Sequence, residues 1–209
     1  MTNIAIFTGG HIDLTSYSYD VIIGVDRATL HLISNDIPID LAIGDFDSIS
    51  SEEFHLVESK AKKVKRLPTE KDDTDTEAAL KEVFNQYPKA NVTIYGAFGG
   101  RLDHTLSNIF LPSNPELYRF SQQISLLDDQ NYLTYLKPGS HKIKKNERMT
   151  YISFLTEKCS NFSISKAKYD LNKDNFFEKK IYSSNEFLFE HITVKFTDGY
   201  LIVIQSKDA

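Results

Sequence analysis

Residues 92 to 112 read VTIYGAFGGRLDHTLSNIFLP, and the fold class follows from this stretch. Residues 92–97 form a short run of β-branched and apolar side chains, and Gly99-Gly100 ends it. Leu102, Leu106, Ile109 and Phe110 then recur at helical spacing until Pro112. A strand that turns through glycine into an amphipathic helix is the unit of a parallel α/β sheet. Working outward, similar apolar runs stand at 4–8, 21–25, 41–43 and 124–127, with a weaker one at 64–67. A second helix is well marked. Thr74 and Glu77 have capping-box spacing, and Leu80, Val83, Phe84 and Tyr87 follow on one face before Pro88, so Asp75 falls in the first turn.

From Tyr132 the texture changes to short alternating strands, expected at 151–155, 187–196 and 200–204, with Asp198-Gly199 as a hairpin turn. Pro138-Gly139 suggests a boundary close by. The expected fold is therefore an N-terminal, mostly parallel, Rossmann-like α/β sandwich over residues 1–134, followed by a C-terminal all-β sandwich over 135–209.

The 209 residues are 41% apolar and 25% charged, enough to bury a substantial core and too apolar for a disordered chain. No apolar run approaches the ~20 residues that span a bilayer, and Met1 to Gly10 lacks the basic flank and cleavage site of a signal peptide. A single cysteine, Cys159, rules out an internal disulfide framework and fits a reducing compartment, so the expected location is the cytoplasm. The net charge of -5 gives no broad electrostatic reason to bind nucleic acid.

Three motifs carry chemistry. Ile43-Gly44-Asp45-Phe46-Asp47-Ser48 ends a strand in two carboxylates one residue apart, at the edge of an α/β sheet where ligands collect. Hard oxygen ligands of this kind suit magnesium, although an isolated pair reads by default as a solvated turn. In Glu70-Lys71-Asp72-Asp73-Thr74-Asp75-Thr76-Glu77, five of eight residues are acidic around one lysine. Helix capping accounts for Asp72 and Glu77. The rest crowd carboxylates at the same sheet edge unless a cation holds them, so Asp75 reads as a metal neighbour and Lys71 as a phosphate contact. Gly96-Ala97-Phe98-Gly99-Gly100-Arg101-Leu102-Asp103-His104 joins a strand to a helix start, where free N–H groups and the Arg101 fork attract phosphate. His104 reads as a packed histidine that orients Asp103. Asp26 also follows a strand and is a weaker candidate for the same cleft.

In this order and spacing, Gly44-Asp45-Phe46-Asp47-Ser48, Lys71-Asp72-Asp73-Thr74-Asp75 and Gly99-Gly100-Arg101-Leu102-Asp103-His104 resemble the characteristic segments of the thiamine pyrophosphokinase family. Lys168-Tyr169-Asp170-Leu171 and Ser184-Asn185-Glu186-Phe187 resemble its thiamine-contacting segments, so the likeness spans nearly the whole chain. The resemblance implies transfer of a diphosphate from ATP to the thiamine hydroxyl, with AMP leaving. It implies an ATP- and magnesium-binding first domain, a thiamine-binding second domain and a homodimer with thiamine where the subunits meet. Carried over, Asp45, Asp47 and Asp75 hold Mg2+. Lys71 and Arg101 contact phosphates, with Thr74, Asp103, His104 and Asp26 around the nucleotide. Tyr169, Ser184 and Asn185 belong to the thiamine pocket, and Asp75 or Asp73 is the candidate base. The stretch 172–180 is longer and more charged than the family pattern. Two alternatives remain at this stage: a related diphosphokinase acting on another alcohol, and a non-catalytic sensor of ATP or thiamine diphosphate.

Overall fold

The computed structural model of the chain describes residues 1–10 and 18–209. They divide into two compact units, Met1–Asp128 and Asp129–Ala209.

In the first unit the described elements are β1 (Asn3–Phe7), β2 (Val21–Val25), α1 (Ala28–Ser34), β3 (Leu41–Gly44), α2 (Ser51–Lys60), β4 (Val64–Arg66), α3 (Asp75–Gln86), β5 (Asn91–Tyr95), α4 (Leu102–Ile109), α5 (Pro115–Tyr118) and β6 (Ile124–Leu127). The strands lie in the order β6-β5-β1-β2-β3-β4, and each neighbouring pair is parallel. Strands covered on both faces need continuous apolar runs, and Ile4, Ala5, Ile6 and Phe7 are all fully buried. Ala5 and Phe7 pack against Ala28 and Leu32 of α1, while Ala79, Leu80, Val83 and Phe84 form the buried stripe of α3. Capping boxes start both α2, at Ser50 and Glu53, and α3, at Thr74 and Glu77.

The winding reverses between β1 and β5, which is the switch point of a doubly wound sheet. There the two chain ribbons touch: Gly10 N–H donates to Gly96 O at 3.0 Å. Gly96 has φ 69, and a Cβ on it would lie 2.4 Å from Thr8 O, so only glycine fits. Helix α4 forms where its spacing predicts, yet Leu102 is 71% exposed and its buried residue is Asn108, whose Nδ2 donates to Ala97 O at 2.9 Å.

The second unit contains β7 (Asn131–Leu136), β8 (Gly139–Lys144), β9 (Tyr151–Glu157), β10 (Ser163–Ser165), β11 (Ile181–Glu186), β12 (His191–Phe196) and β13 (Tyr200–Ser206). These strands pair antiparallel in the orders β11-β9-β13-β7 and β10-β12-β8. Alternate residues Ile152, Phe154, Leu201 and Val203 from the first set meet Ile164, Ile192, Val194 and Phe196 from the second, making the sandwich core. Pro138-Gly139 lies at the turn between β7 and β8. The single strand expected at 187–196 is confined to β12. Phe187 makes one bridge to Ala167, and Leu188 and Phe189 are exposed where the chain crosses from one sheet to the other.

Candidate active site

Each chemical motif of the first unit leaves the carboxyl end of a strand. β2 runs into Asp26, β3 into Asp45-Phe46-Asp47, β4 into the loop carrying Lys71 and then Asp75, and β5 into the glycine turn before Arg101.

Two residues in the left-handed region shape the β2 and β3 ends. Asp26 has φ 47, and its Oδ1 accepts the Phe46 N–H at 3.2 Å. That oxygen fills the space over residue 44: a Cβ on Gly44, which has φ 155, would lie 1.8 Å from it. Phe46 has φ 58, rare for a bulky side chain. Its ring is buried 5.1 Å from Phe54, which leaves Asp45 partly buried and Asp47 exposed on either side. The Asp47 N–H donates back to Asp45 Oδ1 at 3.2 Å.

Lys71 lies between two of the carboxylates. Its Nζ donates to Asp45 Oδ2 at 3.3 Å and to Pro68 O at 3.2 Å, and stands 2.9 Å from Asp75 Oδ1. The last contact is an ion pair to an Asp75 oxygen that is buried. Burial disfavours the Lys71 ammonium, but Asp75 and Asp45 outweigh it and hold the lysine charged. Burial likewise opposes ionisation of Asp45 and is outweighed by the Asp47 N–H and by Lys71, leaving that carboxyl below its usual range. Asp26 goes the other way. Burial, and then the charges of Asp75 and Asp45, push its carboxyl up to about 7. One lysine is thus too little cation for three carboxylates.

Among the described residues, no three His, Cys, Asp or Glu side chains are closed around a point where a metal would sit. The donor set nevertheless fits a hard divalent cation. It consists of carboxylate oxygens, one of them buried, and burial with the charges of Asp75 and Asp45 forces the Asp26 carboxyl towards its neutral form.

The structure brings Asp26, Asp45, Lys71 and Asp75 together and sets Asp47 at their rim. It does not bring Asp73 to them. Both Asp73 oxygens accept from Lys81 Nζ at 2.8 Å, a partner not anticipated from the sequence. Thr74 is the α3 cap, its Oγ1 accepting the Glu77 N–H at 3.2 Å. Arg101 and Asp103 form an exposed pair at the start of α4, and Arg101 with the His104 backbone N–H pulls Asp103 down to about 2. His104 itself is exposed, and its backbone rather than its ring meets Asp103, so the expected packed histidine is not found.

In the second unit a cavity of ≈ 580 Å³ is lined by Tyr169, Leu171, Phe177, Tyr182, Ser183 and Asn185 among others. Tyr169 is 60% exposed. Asn185 is buried, and its amide is spent on the Tyr169 backbone: Oδ1 accepts the Tyr169 N–H at 3.0 Å and Nδ2 donates to Tyr169 O at 2.7 Å. Between Tyr182 and Asn185 the β11 register against β9 slips by one residue, with Ser184 at φ 60. Ser183 lies in the cavity wall, and Ser184, exposed like Ser183, follows it in the bulge. Phe177 comes from the charged stretch 172–180, which alternation and turn signals do not mark as a wall.

A doubly wound sheet that gathers carboxylates and a lysine at its strand ends, in a chain that also carries a β-sandwich with an aromatic cavity, has the make-up of a group-transfer enzyme acting on a phosphorylated substrate. Residues 13–125 match the model of the thiamin pyrophosphokinase catalytic domain, and residues 140–201 match that of the thiamin pyrophosphokinase vitamin B1 binding domain. The chain belongs to the thiamine pyrophosphokinase family. It is 36% identical over 205 residues to the thiamine pyrophosphokinase of Bacillus subtilis (strain 168), covering 94% of this chain and 92% of that protein. The solved structure of a thiamin pyrophosphokinase family protein from Enterococcus faecalis superposes with a TM-score of 0.92 at 38% identity, covering all of both chains. That of the Bacillus subtilis enzyme superposes with a TM-score of 0.82 at 34% identity, covering 99% of this chain and all of the other.

Proposed function

We propose that the group Asp26, Asp45, Lys71 and Asp75 carries the diphosphate transfer from ATP to the hydroxyl of thiamine, with AMP leaving, and that the metal held there is Mg2+. The reading rests chiefly on one observation: Asp45 and Asp75 share a single lysine, and burial together with the charges of those two carboxylates drives the neighbouring Asp26 up to about 7. Asp45 and Asp75 would hold the ion, with Asp47 at the rim and Asp26 behind them. When bound, the ion neutralises charge on the phosphate oxygens.

The rest falls to the chain's own residues. Lys71, kept charged by Asp45 and Asp75, offers a fixed positive centre to phosphate oxygens. Arg101 reaches phosphate by opening its exposed pair with Asp103. Phosphoryl transfer asks the protein mainly to position groups and to balance charge. Asp73 is therefore not needed as a base, and its two bonds to Lys81 argue against that role. In the second unit Tyr169, Phe177 and Tyr182 supply flat faces for a cationic heteroaromatic acceptor.

This division of labour has the first unit bind ATP and the second bind thiamine. The reading extends to a homodimer with thiamine between subunits, supported by the exposure of Tyr169, Phe177, Leu188 and Phe189. It extends also to a cytoplasmic setting, where ATP is available. Among the described residues no helix is long and apolar enough to cross a membrane.

Purified protein incubated with ATP, Mg2+ and thiamine tests the reading. AMP and thiamine diphosphate should form in equal amounts, and chelation should stop both. ATP consumption without thiamine diphosphate would point to another alcohol. Absence of turnover alongside tight binding of ATP would make the chain a sensor.

A further inference from the structure

Lys81 and its partners form a charged knot that the reaction does not itself require. Lys81 Nζ donates to both Asp73 oxygens and to Glu116 Oε1, each at 2.8 Å. Asn114 Nδ2 donates to Asp73 Oδ1 at 3.3 Å and to Glu77 Oε1 at 3.0 Å, while its own oxygen caps α5 through the Glu116 N–H at 3.1 Å. Two elements thus converge on Asp73, the middle of α3 through Lys81 and the start of α5 through Asn114, and Asn114 also reaches the α3 capping box at Glu77.

The knot is not explained by helix ending. Thr74 and Glu77 already satisfy the first turn of α3, and Asp73 lies one residue outside that box. What Asp73 does border is the loop between β4 and α3. One end of the loop is tied where the Leu67 N–H donates to Gly44 O at 2.7 Å. Lys71 sits within it and Asp75 follows it. A carboxylate gripped on both oxygens stops the loop end from rotating as well as from shifting.

We propose that Lys81 is a positioning residue: through Asp73, and steadied by Asn114 and Glu116, it fixes the loop so that Lys71 and Asp75 face Asp45. Lys81 touches none of the reacting groups and acts through backbone placement. The inference rests on the diphosphate-transfer reading above, because that reading gives the loop its work. Misplacing such a group by about 1 Å costs on the order of a hundredfold in rate, and a loosened loop spends only part of its time misplaced, so a loss of roughly tenfold is expected.

The full-length variants Lys81→Met and Lys81→Arg test it by two readouts. In metal-free protein, hydrogen exchange at amides 69–75 should rise about tenfold in Lys81→Met with the rest of α3 unchanged, as expected of local rather than global opening. In steady state, kcat should fall roughly tenfold while the thiamine KM stays put, and Lys81→Arg, which keeps the charge and can donate to both Asp73 oxygens, should recover most of both. Glu116→Gln, which weakens only the outer arm, should give the same pattern at smaller amplitude and serves if Lys81→Met folds poorly. Unchanged loop exchange or unchanged kcat in Lys81→Met would overturn the proposal. So would exchange that rises uniformly through the unit, which would make the knot a stability feature alone. A wild-type chain without turnover would sink the diphosphate-transfer reading instead, and the exchange experiment would still decide whether Lys81 holds the loop.

Discussion

Replacing Asp26 by asparagine should make the metal-free protein more stable, and increasingly so as pH rises. The wild-type carboxyl is raised from 3.8 to about 7 in the folded state, burial being the first cause and the Asp75 and Asp45 charges the next. The sign follows from proton uptake. Below 3.8 both folded and unfolded states are protonated and nothing is gained or lost. Between 3.8 and about 7 the unfolded chain ionises while the folded one keeps its proton, so stability falls with rising pH, and above about 7 the loss is complete. At ~1.4 kcal/mol per pH unit the full shift would amount to about 4 kcal/mol, and solvent at this partly exposed carboxyl screens the penalty at pH 8 to roughly 2 kcal/mol. Asparagine has the shape of a protonated aspartate. Its oxygen can still accept the Phe46 N–H, and its amide can face Asp75 without charge. Thermal unfolding in chelator over the range pH 4 to 8 is the assay, with roughly 2–4 °C expected per kcal/mol. The variant and wild type should melt together near pH 4 and separate progressively above it, the variant higher. A constant gap across that range, or a less stable variant at pH 8, would refute the electrostatic account of this site. Adding Mg2+ should raise the wild type more than the variant, because the cation relieves the same crowding.

Gly44→Ala should drive a methyl against Asp26 Oδ1 and cost about 2 kcal/mol, measured by urea unfolding. The part of that cost due to the Asp26 oxygen should vanish in Gly44→Ala/Asp26→Ala while the strain of φ 155 at residue 44 remains, and full additivity would refute the packing argument. In the second unit, Tyr169→Ala should raise the thiamine KM roughly tenfold with the ATP KM unchanged. Asn185→Ala should act in the same direction, because it frees the Tyr169 backbone, and the double variant should be no worse than the single Tyr169→Ala. An unchanged thiamine KM in Asn185→Ala would confine Asn185 to the sandwich.

Much of the fold was legible because parallel strands buried on both faces must be written as unbroken apolar runs, and residues 4–8, 21–25 and 41–43 are written so. The α3 helix was legible from Thr74, Glu77 and the stripe beginning at Leu80, since cap and periodicity are local. The reading failed where partners come from afar. Leu102 and Leu106 have helical spacing, yet spacing does not say which face a neighbour covers, and they are exposed. The run 187–189 has the composition of a buried strand but occupies a crossing between sheets.

The candidate site divides in the same way. The sequence alone determined that Asp45 and Asp47 follow one strand and that Lys71 and Asp75 lie in the loop and first helical turn after another, because strand, turn and cap are written within a few residues of each. Only the tertiary structure decided that Asp26 belongs with Asp45 and Asp75, that Asp73 belongs to Lys81, and that Ser183 rather than Ser184 lines the cavity. These choices depend on β2 lying beside β3, on α3 and α5 meeting, and on the path of β11. Charge and hydrogen bonding act through space over a few ångströms, and the residues they join here, such as Asp26 and Asp75 or Asp73 and Asn114, stand tens of residues apart in the chain.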